Sequence, residues 1–357
     1  MQNKKRLDFE LLRMISVFFV IFNHSGSRGY MLFSNYNPHT LRFWLYLAVS
    51  IFCKLSVPVF LMITGALMLN RETESFPRHW IRRVFHMCFI LLFWSFFYYL
   101  IQVQKGAQPF SISLFLTRLY SVDWNYSFWF LYMYIILMIS LPLLQRFAKS
   151  LTDREYLYLF AIYALFNMVI PSVELLAFQG NYTLTGSMRL GWLSGEIIIF
   201  PLTGYFLEHR AKNYWNGKRL GLLWIINLFA ILFTCFLTYY RARITDVYDE
   251  WDHKTFVLLN AATVFVSVSY LGSHTDLLEK FRKPILSVGG CAFGIYLIHL
   301  SLLWLTPLSS GLWNILDRFL SPLPLLSVFL FCSCIMLIGY LIVFFMKKMP
   351  LINRLVS

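Results

Sequence analysis

Charge is what this 357-residue chain has least of. Only 13% of its residues are Asp, Glu, Lys or Arg, about half the share of an ordinary soluble domain. Acidic residues are scarcest, 17 against 31 basic ones. The six cysteines form no C-x-x-C pair, so neither a disulfide framework nor a zinc site is suggested; they read as buried small apolar residues. There is no low-complexity tract, no clear repeat and no appended soluble domain. Any chemistry is therefore left to helices and short loops. No small-residue cleavage site ends the first apolar run, so that run reads as a retained helix and not as a signal peptide.

What is present in quantity is apolar: 59% hydrophobic and 19% aromatic residues, with a mean hydropathy of +0.62. Ten runs near 9–33, 43–69, 84–103, 127–145, 155–171, 190–207, 220–240, 255–272, 285–306 and 323–346 have span-like length and composition. The expected fold is all-α: one polytopic membrane domain over 1–357 with about ten transmembrane helices. The net charge of +14 reads as topology and not as a nucleic-acid surface. With the N-terminus inside, 20 basic residues fall in inside segments and nine in outside ones. That bias puts both termini in the cytoplasm.

Ionisable groups inside such runs are costly and commonly line a polar cavity or reaction path. Arg13 and His24 are 11 residues apart in the first run, about three helical turns, and so share one face roughly 16 Å apart. The ninth run carries His299 in its outer half. The sixth, descending, places Glu196 about two turns below its outer end, and the second carries Lys54 near its middle. Topology brings His24, His299 and Glu196 to similar depth, with Lys54 and Arg13 further in. A histidine of this kind can take a proton from a sugar hydroxyl attacking a thioester. Glu196 is the carboxylate expected to orient the ring, and Tyr296, Lys54 or a backbone amide is the donor for the oxyanion. Lys54 and Glu196 also read as a structural ion pair. The run Arg71 to Arg83 suits the phosphates of an acyl-coenzyme, although inside loops are basic in any case. The outer segment Arg241–Asp252, aromatic and acidic, is a candidate sugar contact or a solvated loop.

Five segments together resemble the integral-membrane acyltransferase family 3. They are Glu10-Leu11-Leu12-Arg13 with His24 following; Val57-Pro58-Val59-Phe60-Leu61-Met62-Ile63-Thr64-Gly65, with Thr where Ser is usual; the arginines Arg78, Arg82 and Arg83; Phe128-Trp129-Phe130-Leu131-Tyr132 through Pro142; and Gly294-Ile295-Tyr296-Leu297-Ile298-His299. The resemblance covers about residues 7–346 and extends to members that O-acetylate enterobacterial surface glycans, including enterobacterial common antigen. It implies a bacterial inner-membrane enzyme. Such an enzyme moves an acetyl group from cytoplasmic acetyl-CoA to a hydroxyl of a lipid-linked or surface polysaccharide, without metal. By that resemblance His24 is the base and Arg13 positions the donor or supports His24. Arg78 and Arg82 hold coenzyme A phosphates, and Tyr296 and His299 line the acyl path; Arg83 and Lys54 are further donor-binding candidates from their places in the sequence. The expected partners are acetyl-CoA, a glycan and membrane lipid. His24 as transient acyl carrier is an open alternative. So are a transporter or flippase without covalent chemistry and a glycan polymerase.

Overall fold

The computed structural model describes residues 6–71, 78–188, 195–248, 255–304 and 307–356, all helix, turn and loop. The chain is an all-α polytopic membrane protein. Its helices are α1 (Leu7–Asn23), α2 (Leu41–Cys53), α3 (Ser56–Met68), α4 (Arg78–Gln104), α5 (Ile112–Ser121), α6 (Trp129–Ser150), α7 (Asp153–Ala164), α8 (Ile170–Phe178), α9 (Glu196–His209), α10 (Gly217–Thr245), α11 (Val257–His274), α12 (Leu277–Lys280), α13 (Arg282–Gly289), α14 (Ala292–Trp304), α15 (Pro307–Leu320), α16 (Pro324–Lys348) and α17 (Pro350–Asn353).

All ten expected runs contain helix. Among the described residues seven helices are long and apolar enough to cross a membrane, or eight if the pair α13–α14, bent by 62°, counts as one. The first and sixth runs fall short, at 17 and 14 helical residues. Both helices pack in the interior of the bundle, α1 against α3, α11, α13, α14 and α16, and α9 against α3. An interior helix need not match the lipid thickness that fixes an outer one. The end of α1 has a local cause as well. Ser25 Oγ donates to the Phe22 carbonyl at 2.5 Å, and Gly26 turns to φ +66°, a conformation that terminates a helix at little cost only for glycine.

Contacts at the chain ends fix the sense of the bundle. Lys347, at the end of α16, donates to the Gly290 carbonyl. Gly289 lies against the backbone of Glu10 near the start of α1. Arg6 Nη1 pairs with Glu208 at the end of α9 at 2.6 Å. Helix α1 therefore starts at the same end of the bundle at which α9 and α16 finish, the expected cytoplasmic end, as an even number of crossings requires. At this end burial alone would lower the pKa of Arg6, but its bonds to Asp8 and Glu208 raise it above the ordinary value.

The closest helix crossing is α3 on α9. A methyl on Gly65 would fall 1.9 Å from the Pro201 carbonyl oxygen, and one on Gly204 2.0 Å from that of Met62. Each glycine faces the backbone three residues before the other, the small-residue contact by which membrane helices approach closely. Cys53, Cys235, Cys291 and Cys332 are buried as expected, while Cys88 is exposed.

Candidate active site

At the end of the bundle where α1 terminates, opposite the chain ends, lies a cavity of about 740 Å³, within the 300–1,000 Å³ usual for ligand sites. Its walls include His24, Lys54, Glu196 and Tyr296 from four distant parts of the sequence, with Asn23, Ser56, Tyr30, Tyr126, Trp129 and Tyr248.

Local sequence explains how these side chains reach it. Pro58 has no N–H to offer the Lys54 carbonyl, the acceptor it would use in a continuous helix. The chain breaks there, between α2 and α3, and Lys54 is turned onto the cavity wall with its Nζ 3.9 Å from the Tyr30 ring centroid. The expectation that Lys54 lies deeper than His24 is corrected: the break brings both to one cavity. Asn23 Nδ2 closes the joint, donating to the Cys53 carbonyl at 3.1 Å and to Ser56 Oγ at 3.2 Å. That bond fixes the end of α1, and His24 is the next residue. Glu196 is also displaced from its expected place. It is the first residue of α9, not two turns within a span, and residues 189–194 lie outside the described residues.

The ring of His24 is held from two sides. Its Nδ1 is 2.8 Å from Nε2 of His299, with the two rings 4.9 Å apart, and Tyr126 meets it edge-on at 5.1 Å. The residue expected to orient His24 was Glu196; the structure puts His299 in that position instead. His299 is fully buried behind His24 and does not line the cavity. Its Nδ1 lies 2.5 Å from the Tyr296 carbonyl oxygen. Tyr296 donates its hydroxyl hydrogen to the Ser127 carbonyl at 2.5 Å, so that hydrogen is already engaged. Lys54 is the cation on the same cavity wall. An Asn125 turn, with Oδ1 accepting from the Ser127 N–H at 3.0 Å, presents Ser127 and Trp129 at the start of α6.

Arg13 is not at this cavity. It pairs with Glu10 at 2.5 Å, keeping 32% of its side chain exposed while Glu10 keeps 6%. Arg13 and Arg83 both act electrostatically on Tyr134 of α6, which collects two of the expected donor-side arginines into one region. Arg82 and Arg83 are exposed on the first turns of α4. The Arg78 side chain and residues 72–77 lie outside the described residues, as do 249–252 of the candidate sugar-contact segment. Tyr248 of that segment does reach the cavity wall. Between the two regions, on the face of α1 shared by Arg13 and His24, lie Ser16 and Val20. Val20 lines the cavity. Ser16 is fully buried, and its Oγ has no hydrogen-bond partner. Trp129 was part of the segment 128–132, whereas the cavity residues Asn23, Tyr30 and Tyr126 were not singled out from sequence. Only Asn23, a polar residue beside His24 in an apolar run, carried a signal.

In a comparison with protein families, residues 6–344 match a model described as an acyltransferase domain. Neither the curated proteins nor the solved structures contain a match.

Proposed function

The chain belongs to this acyltransferase family, and on that premise we propose that it moves an acetyl group from cytoplasmic acetyl-CoA to a hydroxyl of a lipid-linked or surface glycan, with His24 as base. The observation that carries the reading is a single cavity holding an oriented histidine, a lysine and a carboxylate. The donor enters from the end of the bundle bearing Arg13, Arg78, Arg82 and Arg83. These hold its phosphates by charge-assisted bonds. Its thioester arm follows the α1 face past Ser16 toward His24, roughly 16 Å from Arg13 by helical rise. The acceptor enters the opposite, aromatic-walled cavity.

In the reaction His24 accepts the hydroxyl proton as the oxygen attacks the thioester carbon. The carbonyl oxygen becomes an oxyanion facing the Lys54 ammonium. Collapse breaks the C–S bond, and the proton passes from His24 to the departing sulfur, giving the ester and coenzyme A thiol. Glu196 accepts a hydrogen bond from a second acceptor hydroxyl. General base catalysis of this kind is worth about 10²–10⁴-fold in rate. The setting is the inner membrane of a bacterium.

The test uses protein in nanodiscs with radiolabelled acetyl-CoA and a glycolipid extract. Label entering glycan with wild type and not with His24→Ala, at equal folding, is the expected result. No coenzyme A release by wild type would overturn the reading. The bent pair α13–α14, a break of the kind transporters use to build a binding site, would then make the cavity a transport site.

A further inference from the structure

We infer that His299 sets the reactive form of His24, so that the base is a two-histidine unit. The consequence for rate rests on the acyltransferase reading above; the geometry does not. The order of protons follows from one fixed point. The Tyr296 carbonyl oxygen can only accept a hydrogen bond. His299 Nδ1, 2.5 Å from it, therefore carries the hydrogen. In a neutral imidazole the other nitrogen then bears a lone pair. That nitrogen, Nε2, is 2.8 Å from His24 Nδ1, so His24 Nδ1 donates. His24 Nε2 is left with its lone pair, which is the form a base requires. A carbonyl two links away thus decides which nitrogen of His24 is basic, the tautomer-setting task that a carboxylate performs in a serine-protease triad.

When His24 Nε2 takes the acceptor's proton, its Nδ1–H keeps its bond to His299 Nε2. His299 is fully buried, so the charge stays on His24 at the cavity wall. His24 Nε2 then gives that proton to the departing sulfur, so the unit gains and loses one proton per turnover. Other groups face His24 without performing this task. Lys54, from the α2–α3 break, contributes like charge, which disfavours protonated His24. Tyr126, from the start of α6, contributes a ring edge. Glu196 reaches the same cavity from α9. His299 is a positioning residue and does not touch substrate.

The experiment observes the histidine ring nitrogens by NMR on isotope-labelled protein in nanodiscs, with His24 assigned by loss of its signals in His24→Ala. Wild type is expected to carry the His24 hydrogen on Nδ1. His299→Gln can offer an amide oxygen in place of Nε2 and should keep that tautomer. His299→Phe cannot, and should shift His24 toward the Nε2–H form. In turnover, His299→Phe is expected to lose about 10²–10⁴-fold in kcat with KM for acetyl-CoA unchanged, and His299→Gln to recover at least about tenfold of it. A wild-type His24 bearing its hydrogen on Nε2 overturns the inference. So does equal loss in the two variants with the tautomer unmoved. The wild-type spectrum decides even if His299→Phe does not fold. The expected tautomer in a wild type that releases no coenzyme A would uphold the pair and overturn the acyltransferase reading instead.

Discussion

Replacing Gly65 by Ala puts a methyl 1.9 Å from the Pro201 carbonyl oxygen, where ordinary contact begins at 3.4 Å. The obstacle is backbone, so no side chain can swing away, and α3 and α9 must part by about 1.5 Å locally. A gap of 0.5–1 Å already forfeits a quarter to a half of the dispersion energy across a contact. Overpacking of this kind costs roughly 1–3 kcal/mol, and a backbone clash belongs at the top of that range. Gly204→Ala, 2.0 Å from the Met62 carbonyl, should cost a similar amount. The same separation accommodates both methyls, so the double variant should cost clearly less than the sum. The four buried cysteines provide the assay: a thiol-reactive dye reports unfolding in detergent on heating, above a baseline from exposed Cys88. Each single variant should lower the midpoint by about 4 °C. Since α3 begins with Ser56 and α9 with Glu196, both on the cavity wall, turnover should fall as well. An unchanged midpoint in Gly65→Ala, or strict additivity in the double variant, would refute the reasoning.

Three further outcomes are expected. Lys54→Met should lower kcat about 10²-fold, the usual effect of removing one oxyanion partner, with KM for acetyl-CoA little changed in steady-state kinetics. Asn23→Ala removes two interhelical bonds worth about 1 kcal/mol together; the dye assay should show a small loss of stability and the turnover assay a larger loss of rate, because His24 adjoins the released joint. Arg82→Ala combined with Arg83→Ala should raise KM for acetyl-CoA at least about tenfold through lost phosphate contacts, measured with acceptor KM as the internal control.

Much of this was legible in the chain. The apolar runs and the basic bias gave an all-α membrane protein, and the i, i+11 spacing put Arg13 and His24 on one face of α1. Alternation of spans brought His24 and His299 to one depth, and the structure puts their nitrogens 2.8 Å apart. The hydrogen bond itself was not legible, because it joins residues 275 apart and depends on rotamers. Glu196 reaches the cavity from the first residue of its helix, a boundary that the apolar run did not reveal. Lys54 was misplaced in depth although the cause, Pro58, stood four residues away. The α3–α9 contact was hidden, since glycines in two separate runs reveal nothing of which backbones meet.

The Glu10–Arg13 pair bears on how the protein is made. Segment α1 leaves the ribosome well before α14, and His24 finds His299 only when α14 arrives. A guanidinium at the centre of a lone inserting helix costs about 2.5–3.5 kcal/mol, and less toward the end where Arg13 sits. Arg13 need not wait for a distant partner, because Glu10 sits one turn away on the same helix. The segment can enter the bilayer with that charge already balanced. His24 can enter as a neutral ring, and the reactive unit is then completed only once the ninth segment is in place. Coupled in this way, catalytic competence marks the end of assembly, and a chain truncated before α14 would be inserted but inert.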